Sequence, residues 1–424
     1  MDAWQDLWAQ PGFAIVSPLF AFPLVFMLAY GFGALLYGPR IGDRAAVVGL
    51  ATIISLAAYL FGLIIAWRPS RAGVVPANHR DFDRAIAVGS SALIAIGIVA
   101  SIAYLAAIGG IPLFMESVEE ARVLAAEQGG AALRVSSMLA LPGLWLLAGQ
   151  AGARRRPGPL LVVAFLTMVV ALLQILTANR APAFGAIETS VLAAMLGAGL
   201  YRLRATGIAL LGLLMLVLVA LAGAVGGYRL SRTPVTWRDS DIAYAVASGE
   251  FGGLILKGVQ NYLVVPVQNF AATLSAIPDL IPWQLGYTYL QPIVTILPGR
   301  QSTFDQDLKA VLEQDYAGGG TVPSMLGEAY ANFGPAGWVL VPLLVGVFLT
   351  SLYLYARRRQ TAAAWTLYAY ALLHMANATI GGIVVASIFP YIAYTILGAA
   401  AFGEPVYRRL KGTSGPKVEG PSTA

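Results

Sequence analysis

Cysteine is absent from all 424 residues, which excludes disulfides, thiolate nucleophiles and cysteine-ligated metals. Histidine occurs only twice, as His79 and His374, too few for a multi-histidine metal site. Charge is also scarce: 11% of residues are Asp, Glu, Lys or Arg, against about 25% in soluble domains. What replaces it is hydrocarbon. Hydrophobic residues make up 58% of the chain and the mean hydropathy is +0.73, the composition of a polytopic membrane protein. The net charge of +6 does not point to nucleic acid, because the basic residues lie in short connections between apolar runs, where they report topology.

Ten apolar runs have about the length needed to cross a bilayer as a helix. They are Phe13 to Leu36, Ala45 to Trp67, Ala85 to Gly109, Leu133 to Ala151, Pro159 to Ala178, Ala183 to Tyr201, Ile208 to Gly227, Trp338 to Tyr355, Thr361 to Ile380 and Ile383 to Phe402. The first follows an acidic N-terminus with no small-residue cleavage site, so it reads as a retained helix. The turns Arg154-Arg155-Arg156, Arg202 with Arg204, and Arg357-Arg358-Arg359, with the tail around Arg408, are basic and belong on the cytoplasmic side. Arg40 and Arg44 disagree with that alternation, since it would set them outside. The expected organisation is seven transmembrane helices over residues 1–227, a large external loop over 228–337 with re-entrant or interfacial helices, and three further helices with a cytoplasmic tail over 338–424.

The external side then receives the segment from Gly110 to about Ala132, the turn Asn179 to Pro182, and the long loop. In that loop Tyr262, Phe270, Trp283, Tyr287 and Tyr289 alternate with Asn261, Gln268, Asn269, Gln284 and Gln291. Aromatic faces beside amides can grip sugars, or the same aromatics can sit at headgroup depth on interfacial helices. Near its end lies Gly318-Gly319-Gly320-Thr321-Val322-Pro323-Ser324-Met325-Leu326-Gly327-Glu328-Ala329-Tyr330-Ala331-Asn332-Phe333-Gly334. Pro323 and Ser324 are suited to open a short helix, and Asn-Phe-Gly to close it before the apolar run at Trp338.

Four charged or titratable groups in or beside the membrane invite both a chemical and a structural reading. Glu328 is a candidate base or a carboxylate at a helix N-terminus. Glu188, about two turns on from Arg180, reads as a brace to a neighbouring helix, and His374, with Asn377 about one turn on, as a base, a pyrophosphate donor or an interhelical hydrogen bond. Arg180 stands on the external side with no acid next to it in sequence; it can hold a phosphate through its two-pronged guanidinium or snorkel to lipid headgroups.

The Gly-Gly-Thr-Val-Pro-Ser and Leu-Gly-Glu-Ala-Tyr-Ala-Asn-Phe-Gly segments, with Gly109-Gly110-Ile111-Pro112-Leu113-Phe114 and a downstream Arg122, resemble the bacterial oligosaccharide repeat-unit polymerases, the Wzy-type or O-antigen polymerase-like family. Asn179-Arg180-Ala181-Pro182 is similar to that family's Arg-bearing helix start. The resemblance implies an all-α, GT-C-like membrane fold and an inverting, metal-independent glycosyl transfer, without a cofactor, at the periplasmic face of the inner membrane. The substrates would be undecaprenyl-pyrophosphate-linked oligosaccharides, with membrane lipid and a chain-length regulator protein as partners and no nucleic acid. It implies Glu328 and His374 as catalytic groups, and Arg122, Arg180, Arg232, Arg238, Arg300 and Asn332 as substrate or pyrophosphate contacts. Arg238 and Gly249 also match an Arg-x10-Gly spacing of some such polymerases, a weak signal in a chain with 46 glycines. The alternatives are an O-antigen ligase-like transferase and, in another class, a flippase or transporter of lipid-linked oligosaccharide.

Overall fold

The computed structural model describes residues 16–67, 80–115, 130–177, 180–199, 251–294, 303–313, 320–383 and 387–412. Among these residues every regular element is a helix. The chain opens with α1 (Ala21–Phe26), a π-helical stretch (Met27–Phe32) and α2 (Gly33–Ile41), followed by α3 (Arg44–Ala66) and α4 (Arg80–Ile108). Then come α5 (Ala131–Met138), α6 (Ala140–Arg154), α7 (Pro157–Leu176) and α8 (Arg180–Gly197). The second half holds α9 (Phe251–Ala276), α10 (Tyr287–Val294), α11 (Phe304–Val311), α12 (Ser324–Phe333), α13 (Gly337–Arg359), α14 (Ala362–Gly381) and α15 (Phe389–Gly412).

Among the described residues, six helical stretches are long and apolar enough to cross a membrane: Ala21–Ile41, Arg44–Ala66, Phe82–Ile108, Ala132–Arg154, Pro157–Leu176 and Ser324–Arg359. Ala181–Gly197, Leu263–Ala276 and Phe389–Gly403 are shorter apolar helices. The protein is therefore a multi-pass membrane protein, all-helical among the described residues. The expected span from Ile208 to Gly227 lies outside the described residues.

At the centre is α14, buried at every position from Ala363 to Leu372, as expected of a helix that is apolar all round. Trp145 stacks on Tyr370 with centroids 4.8 Å apart, and Tyr353 and Trp365 pack edge to face beside it. One part of the 228–337 stretch joins this bundle. Along α9, Val267 and Phe270 are buried against the first helices, and a Cβ on Gly33 would overlap the Leu263 carbonyl.

Small residues set the closest helix crossings, because lipid gives no hydrophobic drive and backbones must approach to gain contact. A Cβ on Gly62 of α3 would overlap the Leu343 carbonyl of α13, and one on Gly346 of α13 would overlap the Tyr59 carbonyl of α3. Gly152 of α6 and Gly197 of α8 are constrained in the same way, against Ala194 and Gly149. Gly346→Leu should therefore lower the thermal unfolding temperature in detergent far more than Gly49→Leu, because Gly49 has open space at its Cβ. Equal effects would show that the α3–α13 seam is not a close packing.

Arg155 (φ 52°) ends α6 and Gln360 (φ 54°) ends α13 in left-handed turns. One cleft is lined by Asp83, Gln150, Arg154, Gln360 and Thr361, so the Arg154–Arg156 and Arg357–Arg359 turns share one end of the bundle, as expected for basic connections.

Candidate functional site

The glycine-rich stretch folds as its residues suggest and forms α12 at the opposite end of the bundle. Ser324 takes a left-handed conformation (φ 63°) that lets its Oγ accept from the Gly327 N–H at 3.4 Å, so the serine caps the helix it opens. Gly334 (φ 61°) closes it, in contact with the Trp283 ring. The Tyr30 hydroxyl, carried on the π-helical stretch, accepts from the Leu326 N–H (3.1 Å) and donates to the Thr379 carbonyl (2.8 Å). It thereby ties the start of α12 to the end of α14.

Glu328 sits in the middle of α12, outside its first turn, so the helix-terminus role open to it in sequence does not apply. Its carboxylate is 1% exposed. Oε1 accepts from the Thr288 hydroxyl of α10 at 3.1 Å, and Oε2 accepts from the Ile383 N–H, after α14, at a short 2.5 Å. Asn332, one turn later, donates from Nδ2 to the Thr288 hydroxyl (2.6 Å) and to the Glu328 carbonyl (2.8 Å), while its Oδ1 accepts from the Gly286 N–H (2.8 Å). Asn332 is fully buried, so the structure places it behind Glu328 as an internal brace.

His374 of α14 is part of the same cluster. Its ring lies parallel to Tyr370, with centroids 5.5 Å apart, and Nδ1 is 3.0 Å from the Tyr394 hydroxyl. The ring is also hydrogen-bonded to the Ile383 backbone. Ile383 is thus the shared partner of Glu328 and His374.

Arg180 is the first residue of α8. Two turns on, the Glu188 carboxyl is hydrogen-bonded to the Asn377 side chain, bracing α8 to α14. Asn377 is exposed and Glu188 half-buried, so this pair is reachable from outside the core. Arg122, Arg232, Arg238 and Arg300 lie outside the described residues. Among the described residues, no three His, Asp or Glu side chains are grouped to hold a metal.

Four partners in this cluster carried no sequence signal: Tyr30, Thr288, Ile383 and Tyr394. The one-turn spacing of Glu328 and Asn332 sets them on one face of α12, whereas the resemblance in sequence implies Asn332 as a substrate contact. Comparison with known proteins adds no relative: no family model, curated protein or solved structure matches the chain.

Proposed function

We propose that this protein is a repeat-unit polymerase of the Wzy type, joining undecaprenyl-pyrophosphate-linked oligosaccharides at the periplasmic face of the bacterial inner membrane. The observation that carries this reading is the buried polar cluster on α12: a buried glutamate, in the motif that resembles the family, is linked through Ile383 to His374. Burying an ionisable group at the end of a membrane bundle is costly unless it is paired or used.

In this reading the acceptor sugar's hydroxyl replaces the Thr288 hydroxyl on Oε1 of Glu328, a like-for-like exchange of O–H donors. The Ile383 N–H stays on Oε2. As the acceptor oxygen forms its bond to the donor's anomeric carbon, its proton passes to Glu328. The bond from that carbon to the pyrophosphate oxygen breaks, and the electron pair leaves with the lipid pyrophosphate. Arg180, with Arg122, Arg232, Arg238 and Arg300 as further candidates, supplies positive charge for the leaving group. The ten-span, GT-C-like layout belongs to the same proposal.

The test is reconstitution of the purified protein in liposomes with a lipid-linked repeat unit. A ladder of polymers separated by one repeat is expected. Movement of the lipid-linked unit across the bilayer without any ladder would overturn the proposal in favour of a flippase.

A further inference from the structure

The segment from Ile277 to Val294 is built inside out for a water-exposed loop. On α10 the polar residues face inward: Thr288 donates to Glu328, and Gln291 Oε1 accepts from the Phe304 N–H at 3.0 Å. The apolar residues face outward. Leu290 is 58% exposed, with Ile293 and Tyr287 also exposed, and the preceding turn adds Leu280 at 62% and Leu285 at 81%. Leu285 has φ 49°, in the left-handed region that a leucine rarely adopts. It is held there beside Gly286, whose N–H is fixed on Asn332. The bond from Gly286 to Asn332 helps hold this backbone, and Leu285 stays 81% exposed.

This surface continues one that faces hydrocarbon. Phe333 stacks on Tyr289 with centroids 6.2 Å apart and leads into α13, whose Val339, Leu340 and Leu344 are exposed along a membrane-crossing helix. Trp283, Tyr330 and Trp338 form a contacting aromatic row beside it, the residue types that favour the headgroup region. The segment contains no Lys or Arg, and its one acid, Asp279, is exposed. Attraction to anionic headgroups therefore plays no part.

We propose that the outward face of residues 280–293 inserts among the acyl chains of the leaflet at the end of the bundle opposite Arg357–Arg359. The occupant is bilayer lipid, held by apolar burial alone. This inference is independent of the catalytic proposal, since a transporter would carry the same insertion.

The cysteine-free chain gives a clean background for the test. Leu285→Cys, Leu290→Cys and Asp279→Cys, each labelled with an environment-sensitive fluorophore, are placed in nanodiscs of phosphatidylcholine. Lipids bearing an acyl-chain nitroxide should quench the labels at 285 and 290 several-fold more than the label at 279, and aqueous iodide should show the reverse order. All three leave buried contacts intact, and an unchanged unfolding temperature checks this. Iodide quenching at 285 and 290 equal to that at 279 would place the segment in water and overturn the proposal. Shielding of both sites from both quenchers would also overturn it, assigning the face to a second copy of the chain.

Discussion

Glu328→Gln should lower ladder formation by about 10²-fold or more, the range expected when a general base is lost. Glutamine keeps the shape, and by turning its oxygen toward the Ile383 N–H it retains that contact while its amide meets the Thr288 oxygen. The protein should remain folded and present in the membrane. Glu328→Ala is the harsher change: it leaves the Ile383 N–H and the Thr288 hydroxyl without their acceptor. Each buried group left unpaired costs about 1–3 kcal/mol, so the alanine variant should also unfold at a distinctly lower temperature. Turnover and thermal unfolding measured on both variants separate chemistry from architecture. Near-normal ladders from the glutamine variant, with only its unfolding temperature reduced, would make Glu328 a clamp between α10, α12 and the end of α14, and would remove it as the base.

Arg180→Ala should abolish polymer. Its position sharpens the test, because Arg180 is the first residue of α8 and a cation is disfavoured at the positive end of a helix dipole. Removing it should therefore leave helix stability unchanged or raise it by up to about 1 kcal/mol. Loss of activity then cannot be ascribed to unfolding. Arg180→Lys should restore only part of the activity, since it keeps the charge but loses the paired hydrogen-bond geometry suited to a pyrophosphate. Full-length ladders from the alanine variant would exclude Arg180 from the leaving-group site.

Local signals in the sequence carried much of the architecture. The long apolar runs, the basic turns at Arg154–Arg156 and Arg357–Arg359, and the proline, serine and glycine bounding α12 all act through short-range rules. Those rules hold whatever the tertiary packing. The 228–337 stretch was harder. The amides Asn261, Gln268 and Asn269 lay in what read as a loop, yet α9 runs through them, with Pro266 inside it, and buries Val267 and Phe270. The partners of Glu328 could not be read at all. A threonine in α10, a tyrosine in a π-helical stretch and the backbone of an isoleucine become ligands of one cluster only because the helices that carry them converge. Backbone groups in particular have no residue-type signature.

The position of Ile383 has a consequence for how the acid and the imidazole behave. Two side chains on different helices meet at the backbone of a single residue, so a shift of Ile383 would reach both at once. Withdrawing a hydrogen bond from either alters the polarisation of the peptide units that the other relies on, and such coupling is reciprocal. A hydroxyl arriving at Glu328 would be registered at His374, and a change at His374 would return to the carboxylate. Ile383 is the point common to both.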